Sequence, residues 1–230
     1  MSNDYVSVVY DVQRTPKTDY PSRLVAYLGN RFAIPQGSKL LDVGCGRGDF
    51  LEAFQALGMD CHGVDQCESG IEKLRHLKVH RADILSEAVP FPDGTFDVVY
   101  HKSVMEHFDS PDRLMRETLR VLKPGGRVII LVPDWVSNMK VFFEDFTHCR
   151  PYDVNAVTDV LKMYGFSHIE TERFYQLPIL WKYPALRIIS TILRGTISTP
   201  TARRLTKWTG IKFFRWSVEL MVLGTGVKVK

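Results

Sequence analysis

The stretch Leu40-Leu41-Asp42-Val43-Gly44-Cys45-Gly46-Arg47-Gly48 decides the fold. An apolar run enters glycines at alternate positions. Behind them, Asp49 to Leu57 carries apolar residues at helical spacing, and Gly58 can cap its end. The pattern is that of a buried strand, a tight loop and a helix start. Glycine lets the loop turn sharply and leaves no Cβ between the backbone and a ligand. The helix N-terminus then offers N–H groups that have no intrahelical partner.

Outward from this stretch, strands and helices alternate. Before it, Ser22 to Ala33 has helical periodicity and ends at Pro35 and Gly37, while residues 1–20 are polar and turn-rich and read as an arm or lid. After it come strand Cys61–Asp65, helix Glu68–Leu77, strand Lys78–Ala82, strand Phe96–Tyr100, helix Pro111–Leu122, the turn Pro124-Gly125-Gly126 and strand Arg127–Val132. Helix Asn155–Tyr164 and strands Ser167–Phe174 and Val218–Gly224 close the series. Near-continuous apolar strands between amphipathic helices indicate a mostly parallel sheet covered on both faces, an α/β three-layer sandwich. Leu177–Trp216 breaks the alternation with two expected helices, Tyr183–Leu193 and Thr201–Trp208. The expected organisation is an N-terminal arm and helix (1–37), a ligand-binding core (38–175), a basic helical insertion (176–217) and a final strand (218–230).

Composition fits a globular chain: 45% hydrophobic and 24% charged over 230 residues. No apolar run reaches the roughly 20 residues of a membrane span. The polar N-terminus has no signal-peptide pattern, and Cys45, Cys61, Cys67 and Cys149 form no CxxC, so the expectation is reduced thiols and a cytoplasmic location. Cys61, His62 and Cys67 fit no common zinc spacing, and no metal is read from the sequence. The net charge of +4 is unevenly distributed. Residues 1–172 hold 19 Lys+Arg and 25 Asp+Glu, whereas residues 173–230 hold 11 Lys+Arg and a single acid, Glu219. A basic part beside an acidic one points to an anionic partner for the former.

In an open α/β sheet a ligand sits beyond the carboxyl ends of the strands at the switch point. That rule gathers the Gly44–Gly48 loop, Asp65 at the end of the second strand, Asp83-Ile84 after the third and His101-Lys102-Ser103 after the fourth. The dinucleotide fingerprint G-x-G-x-x-G does not fit, because the third glycine comes one residue early and Asp49 stands in its place. A pyrophosphate would meet that carboxylate, whereas a cationic nucleoside such as S-adenosylmethionine would tolerate Asp42 and Asp49. Asp65 can accept both ribose hydroxyls, and Asp83 with Ile84 can meet an adenine.

Several motifs in register resemble the class I S-adenosylmethionine-dependent methyltransferases. These are Leu40–Gly48, Val64-Asp65, Pro90–Val99 with Val104-Met105-Glu106-His107, and Leu122-Lys123-Pro124-Gly125-Gly126-Arg127-Val128. The resemblance covers roughly residues 38–175 and is closest to the small-molecule branch with quinone and sugar methyltransferases. It implies a Rossmann-like, seven-stranded sheet whose last strand is antiparallel. It also implies that Asp42, Gly44, Cys45, Gly46, Gly48, Asp65, Gln66, Asp83, Ile84 and the backbone near His101 bind S-adenosylmethionine, with S-adenosylhomocysteine as product.

Methyl transfer depends on in-line positioning and desolvation, and a hydroxyl acceptor needs a base for its proton. His101, Glu106, His107, Asp145 and His148 are the candidates. The segment Asp145-Phe146-Thr147-His148-Cys149-Arg150-Pro151-Tyr152 resembles a Thr-His-x-Arg-Pro pattern of methyltransferases tied to polysaccharide biosynthesis. His148 is the expected base, oriented by Asp145, with His107 a further catalytic candidate; Arg150, Tyr152 and Trp181 are expected at the substrate. The expected acceptor is a small molecule, preferably a hydroxyl of a sugar, nucleotide-sugar or lipid-linked glycan. A quinone, natural product or protein side chain is the alternative acceptor, and a non-catalytic binding partner is the alternative class. Residues 177–216, with Trp181, Trp208 and Trp216 among basic residues, suit an anionic membrane surface or an anionic substrate. The acidic remainder and the absence of an RNA-binding motif argue against nucleic acid.

Overall fold

The computed structural model describes residues 16–67, 71, 74 and 76–229. The expected arm therefore lies mostly outside the described residues, as does most of the expected helix Glu68–Leu77.

Helix α1 (Tyr20–Arg31) buries Leu24, Val25 and Leu28 along one face. Strand β1 (Lys39–Val43) is buried after its first residue, as its apolar run requires. It pairs in parallel with β2 (Asp60–Asp65) and β4 (Phe96–Lys102), Leu40 lying opposite Cys61 on one side and Val98 on the other. Strand β3 (Lys78–Arg81) extends the sheet beyond β2, with Val64 opposite His80. Helix α2 (Asp49–Ala56) starts at Gly48 in the left-handed conformation, and Asp49 and Glu52 in its first turn complement the helix dipole. Helix α3 (Asp112–Val121) buries Leu114, Met115, Thr118 and Val121, the face its periodicity sets.

Strand β5 runs Leu122–Pro133 and includes the Pro-Gly-Gly segment expected as a turn; Gly125, at φ +79°, still bends the chain there. The short helix α4 (Trp135–Asn138) is capped by Asp134, and α5 (Val154–Met163) by Asp153, whose carboxylate accepts from Ala156 N at 2.8 Å. Strand β6 is Phe166–Phe174. Then follow α6 (Pro178–Lys182), a 3-10 turn at Pro184–Leu186, α7 (Arg187–Thr196), α8 (Thr199–Thr209) and α9 (Phe213–Val218). The last strand, β7, is Met221–Lys228. It starts three residues later than expected because Ser217 and Val218 are taken into α9, where the Ser217 hydroxyl bonds Ser190 of α7 at 2.8 Å. Helix α5 packs directly on β7: a Cβ on Gly224 would come within 2.5 Å of Val157 Cγ1.

The strands form a seven-stranded sheet in the order β3-β2-β1-β4-β5-β7-β6, parallel except for the last strand. The described residues divide into two compact units. One comprises residues up to Lys102 with Asp112–Ile129 and Val227 onward; the other comprises Ser103–Pro111 and Ile130–Gly226. Among the described residues, no helix is long and apolar enough to cross a membrane.

Candidate functional site

In the first unit the glycine loop and the strand ends converge. Gly44 N and Cys45 N donate to Val64 O at 2.8 and 3.2 Å, tying the loop to β2. Gly46 N donates to Asp65 Oδ2 and Cys67 N to Asp65 Oδ1, each at 2.8 Å. The acid expected to hold a ribose diol is thus fixed at the loop by two main-chain bonds. Gly44, Gly46 and Gly48 all have positive φ, which only glycine adopts without strain. At Gly46 no atom lies within 4 Å of the place a Cβ would occupy, so the space over the loop is open.

Asp42 is buried at the end of β1. Burial, and then the charge of Asp65, push its carboxyl well above the usual range, while Lys102 pulls the other way. A carboxyl whose ionisation is opposed by a neighbouring carboxylate marks a place that a cation would relieve. Lys102, part of the His101-Lys102-Ser103 segment expected at the site, lies with its ammonium 5.2 Å from the Phe50 ring centre. Cys45 is buried and its thiol is held protonated by burial and by Asp42. Asp49 does not face the loop's ligand side alone: Arg47 pairs with it at 2.6 Å.

The remaining expected ligand residues divide into two groups. Gln66 is exposed, and Asp83 shapes its own turn, accepting from Leu85 N at 3.0 Å and Ser86 Oγ at 2.7 Å. Ile84 is buried, and its carbonyl accepts from Arg113 Nε at 2.9 Å. The His101 side chain turns into the core, with Nε2 2.9 Å from the Thr118 hydroxyl, so only its backbone is left for a ligand. Burial pushes the His101 imidazole down to about 3.

The second unit gathers the residues expected around the acceptor. Cys149 N and Arg150 N both donate to Glu106 O, at 3.0 and 3.1 Å, which clamps the loop 145–152 to the 3-10 turn Met105–His107. His107 and His148 rings meet edge to face, their centres 4.8 Å apart. Asp145 does not orient His148 in the expected way, since the nearest approach is 3.9 Å from Oδ2 to Nε2. The His148 Nδ1–H is taken instead by Phe142 O at 2.7 Å, and Asp145 Oδ1 accepts from the Thr147 hydroxyl at 2.7 Å. Burial and the neighbouring His148 lower the basicity of His107, against a raising effect of Asp145.

Of the expected substrate contacts, Arg150 is exposed and its Nε donates to Asp109 O at 2.6 Å. Tyr152 is buried, which pushes its phenol up, and its main chain bridges to Asp134. Trp181 stacks on Phe174 with ring centres 5.5 Å apart and donates to Tyr175 O at 2.7 Å. Its placement is that of a packing residue.

Comparisons with known proteins agree with this geometry. A family model for a methyltransferase domain matches residues 13–171. The ubiquinone/menaquinone biosynthesis C-methyltransferase UbiE of Pasteurella multocida is 36% identical over 109 residues, 43% of this chain and 41% of that one. Phosphoethanolamine N-methyltransferase 1 of Arabidopsis thaliana is 33% identical over 168 residues, 63% of this chain and 32% of the other. The chain spans between 31% and 55% of the length of the curated relatives it matches. A solved S-adenosylmethionine-dependent methyltransferase from Archaeoglobus fulgidus shares the fold, with a TM-score of 0.64, 21% identity, and coverage of 98% of this chain and 100% of that one. The chain belongs to the methyltransferase-domain family, with the class I fold of the S-adenosylmethionine-dependent methyltransferases.

Proposed function

We propose that this chain is an enzyme that transfers a methyl group from S-adenosylmethionine to a small-molecule acceptor, and that the acceptor carries a hydroxyl, preferably on a sugar, nucleotide-sugar or lipid-linked glycan. The observation that carries the reading is Asp65, anchored by the amides of Gly46 and Cys67 at the end of β2. Each carboxylate oxygen keeps acceptor capacity for one hydroxyl of a vicinal diol. The residues fit the cofactor's charge, because Asp42 and Asp65 favour a cation over a phosphate. When bound, S-adenosylmethionine supplies an electrophilic methyl group on a sulfonium.

The chain's own part is to position, to exclude water and to take a proton. The glycine loop and Asp65 hold the nucleoside. Asp83 and Ile84 are assigned to the adenine, and the main chain at His101 to the amino-acid part. The acceptor's proton is assigned to His148, with Glu106 and His107 beside it. A hydroxyl acceptor is the reading favoured by this concentration of proton-accepting groups beside Arg150.

Calorimetry with S-adenosylhomocysteine tests the cofactor assignment. Micromolar binding is expected, falling about 10- to 100-fold in Asp65→Asn, the loss of charge-assisted hydrogen bonds. Saturation by a pyridine dinucleotide instead would overturn it. Label from methyl-labelled S-adenosylmethionine is expected in a sugar or lipid-linked sugar of a cell extract. Label in a quinone or sterol would refute the acceptor, and no label the activity.

A second reading concerns the basic helices. Helix α7 is built inside out: its buried residue is Ser190, while Ile188, Ile189 and Ile192 are 67%, 49% and 60% exposed. Trp208 and Ile211 are exposed as well, and so are Lys182, Arg204, Lys207 and Lys212. Glu219, the acid of this region, is already bound by Arg203 and Arg215. We propose that this surface rests on an anionic lipid membrane, the isoleucines in the headgroup region and the lysines over it. Co-sedimentation with vesicles containing phosphatidylserine is expected, and its loss in neutral vesicles. Equal sedimentation with both, or a dimer that hides the surface, would reject it.

A further inference from the structure

Among the described residues, Glu106, His107 and His148 form a group whose ligand atoms all lie within 4.8 Å of one another. Glu106 is fully buried. The hydrogen bonds around the two imidazoles define their tautomers. Phe142 O can only accept, so in the neutral ring His148 carries its proton on Nδ1 and Nε2 is the nitrogen with the lone pair. Thr147 gives its hydroxyl proton to Asp145 Oδ1 at 2.7 Å, so the same oxygen, 2.8 Å from His107 Nδ1, must accept from that ring. His107 therefore also carries its lone pair on Nε2.

We infer that Glu106, His107 and His148 bind one first-row transition-metal dication through the carboxylate and the two Nε2 atoms. Nothing in the spacing of the sequence showed it. An imidazole whose other nitrogen donates to a fixed oxygen is oriented as metal-bound histidines are, and here both are. Two imidazoles and a carboxylate suit zinc, cobalt, iron or manganese rather than magnesium or calcium. Bonds of about 2.0–2.2 Å set ligand atoms roughly 3–4 Å apart, so the widest separation in the group must shorten by about 1–2 Å on binding. The side chains sit on two segments already clamped by the amides of Cys149 and Arg150 on Glu106 O, so the remaining approach falls to the side chains. Three protein ligands leave coordination positions open, and a dication there would lower the pKa of a hydroxyl bound to it. The inference goes beyond the methyltransferase reading, and metal binding does not depend on that reading.

The test is titration of the full chain, dialysed against chelator, with cobalt(II) alone. Saturation at one equivalent with a visible d–d absorption band is expected. His148→Ala should weaken cobalt binding at least about 100-fold, and Thr147→Val, which removes only the outer oxygen, about 10- to 100-fold. The affinity for S-adenosylhomocysteine should stay unchanged in both, which shows that the variants are folded and separates this result from failure of the cofactor assignment. If His148→Ala does not fold, the wild-type protein decides alone: two strongly shifted, solvent-exchangeable Nδ1–H proton resonances are expected in the cobalt form. No d–d band at one equivalent, equal cobalt affinity in wild type and His148→Ala, or absence of the shifted resonances would each overturn the site.

Discussion

The glycine loop of residues 44–48 and the helical stretch of residues 178–218 use the chain in opposite ways. In the loop, function is carried by backbone. With positive φ, Gly44, Gly46 and Gly48 give their amides to Val64 O, Asp65 Oδ2 and Cys45 O, and the backbone at Gly46 borders open space. In the helices the backbone is ordinary, and in α7 the side chains are inverted. Ser190 lies inside against Ser217, Arg187 and Arg194 lie over the ring of Tyr175, and the isoleucines of α7 face outward. Sequence tolerance should differ accordingly. A backbone site rejects almost any substitution, whereas an inverted helix rejects few and reports its purpose only through what it exposes.

Glycine substitutions test this contrast, and Gly48 carries the larger effect. It sits at φ +75°, and a Cβ there would lie 2.8 Å from Leu74 Cδ2 and 3.2 Å from Leu77 Cδ1. Left-handed backbone costs alanine roughly 1–2 kcal/mol, and overpacking adds about 1–3 kcal/mol, softened because the leucine ends can move. Gly48→Ala should therefore lose about 2–4 kcal/mol in denaturant unfolding and weaken S-adenosylhomocysteine binding as the start of α2 shifts. Unchanged stability would mean that the loop is not constrained as described.

How much was legible follows the same division. Runs rich in apolar residues placed β1, β2 and β4 to within two residues, because buried parallel strands must be apolar. The convergence of Asp65 with the loop glycines was readable because Asp65 closes the next strand, 21 positions after Gly44. The start of β7 was misread because Val218 continues an apolar run although its neighbours Arg215 and Trp216 complete a helix. His101 was located at a strand end, but the side of the sheet to which it points was not read, and it bonds Thr118 in the core. His107 and His148 were expected near one another as catalytic candidates, but their grouping with Glu106 was not read. Its partners are about 40 positions apart and meet through main-chain bonds to Glu106 O, for which composition and spacing hold no signal.

The smallest expected effect is the counterpart of the first. Gly195 lies in the last turn of α7 with ordinary helical backbone, and a Cβ there would meet nothing within 4 Å. Alanine restricts the unfolded chain without strain in the folded one, so Gly195→Ala should stabilise, by about 0.5 kcal/mol given its position near the helix end. That corresponds to about 1–2 °C in thermal midpoint for a chain of this size, measurable by calorimetry. If the helices unfold separately, the gain should appear only in a lower, separate transition while the main one stays fixed. If they are part of one cooperative structure, the single midpoint should rise. A destabilised protein would show that α7 is held against something at that face, and the account of its isoleucines as an outward surface would have to be given up.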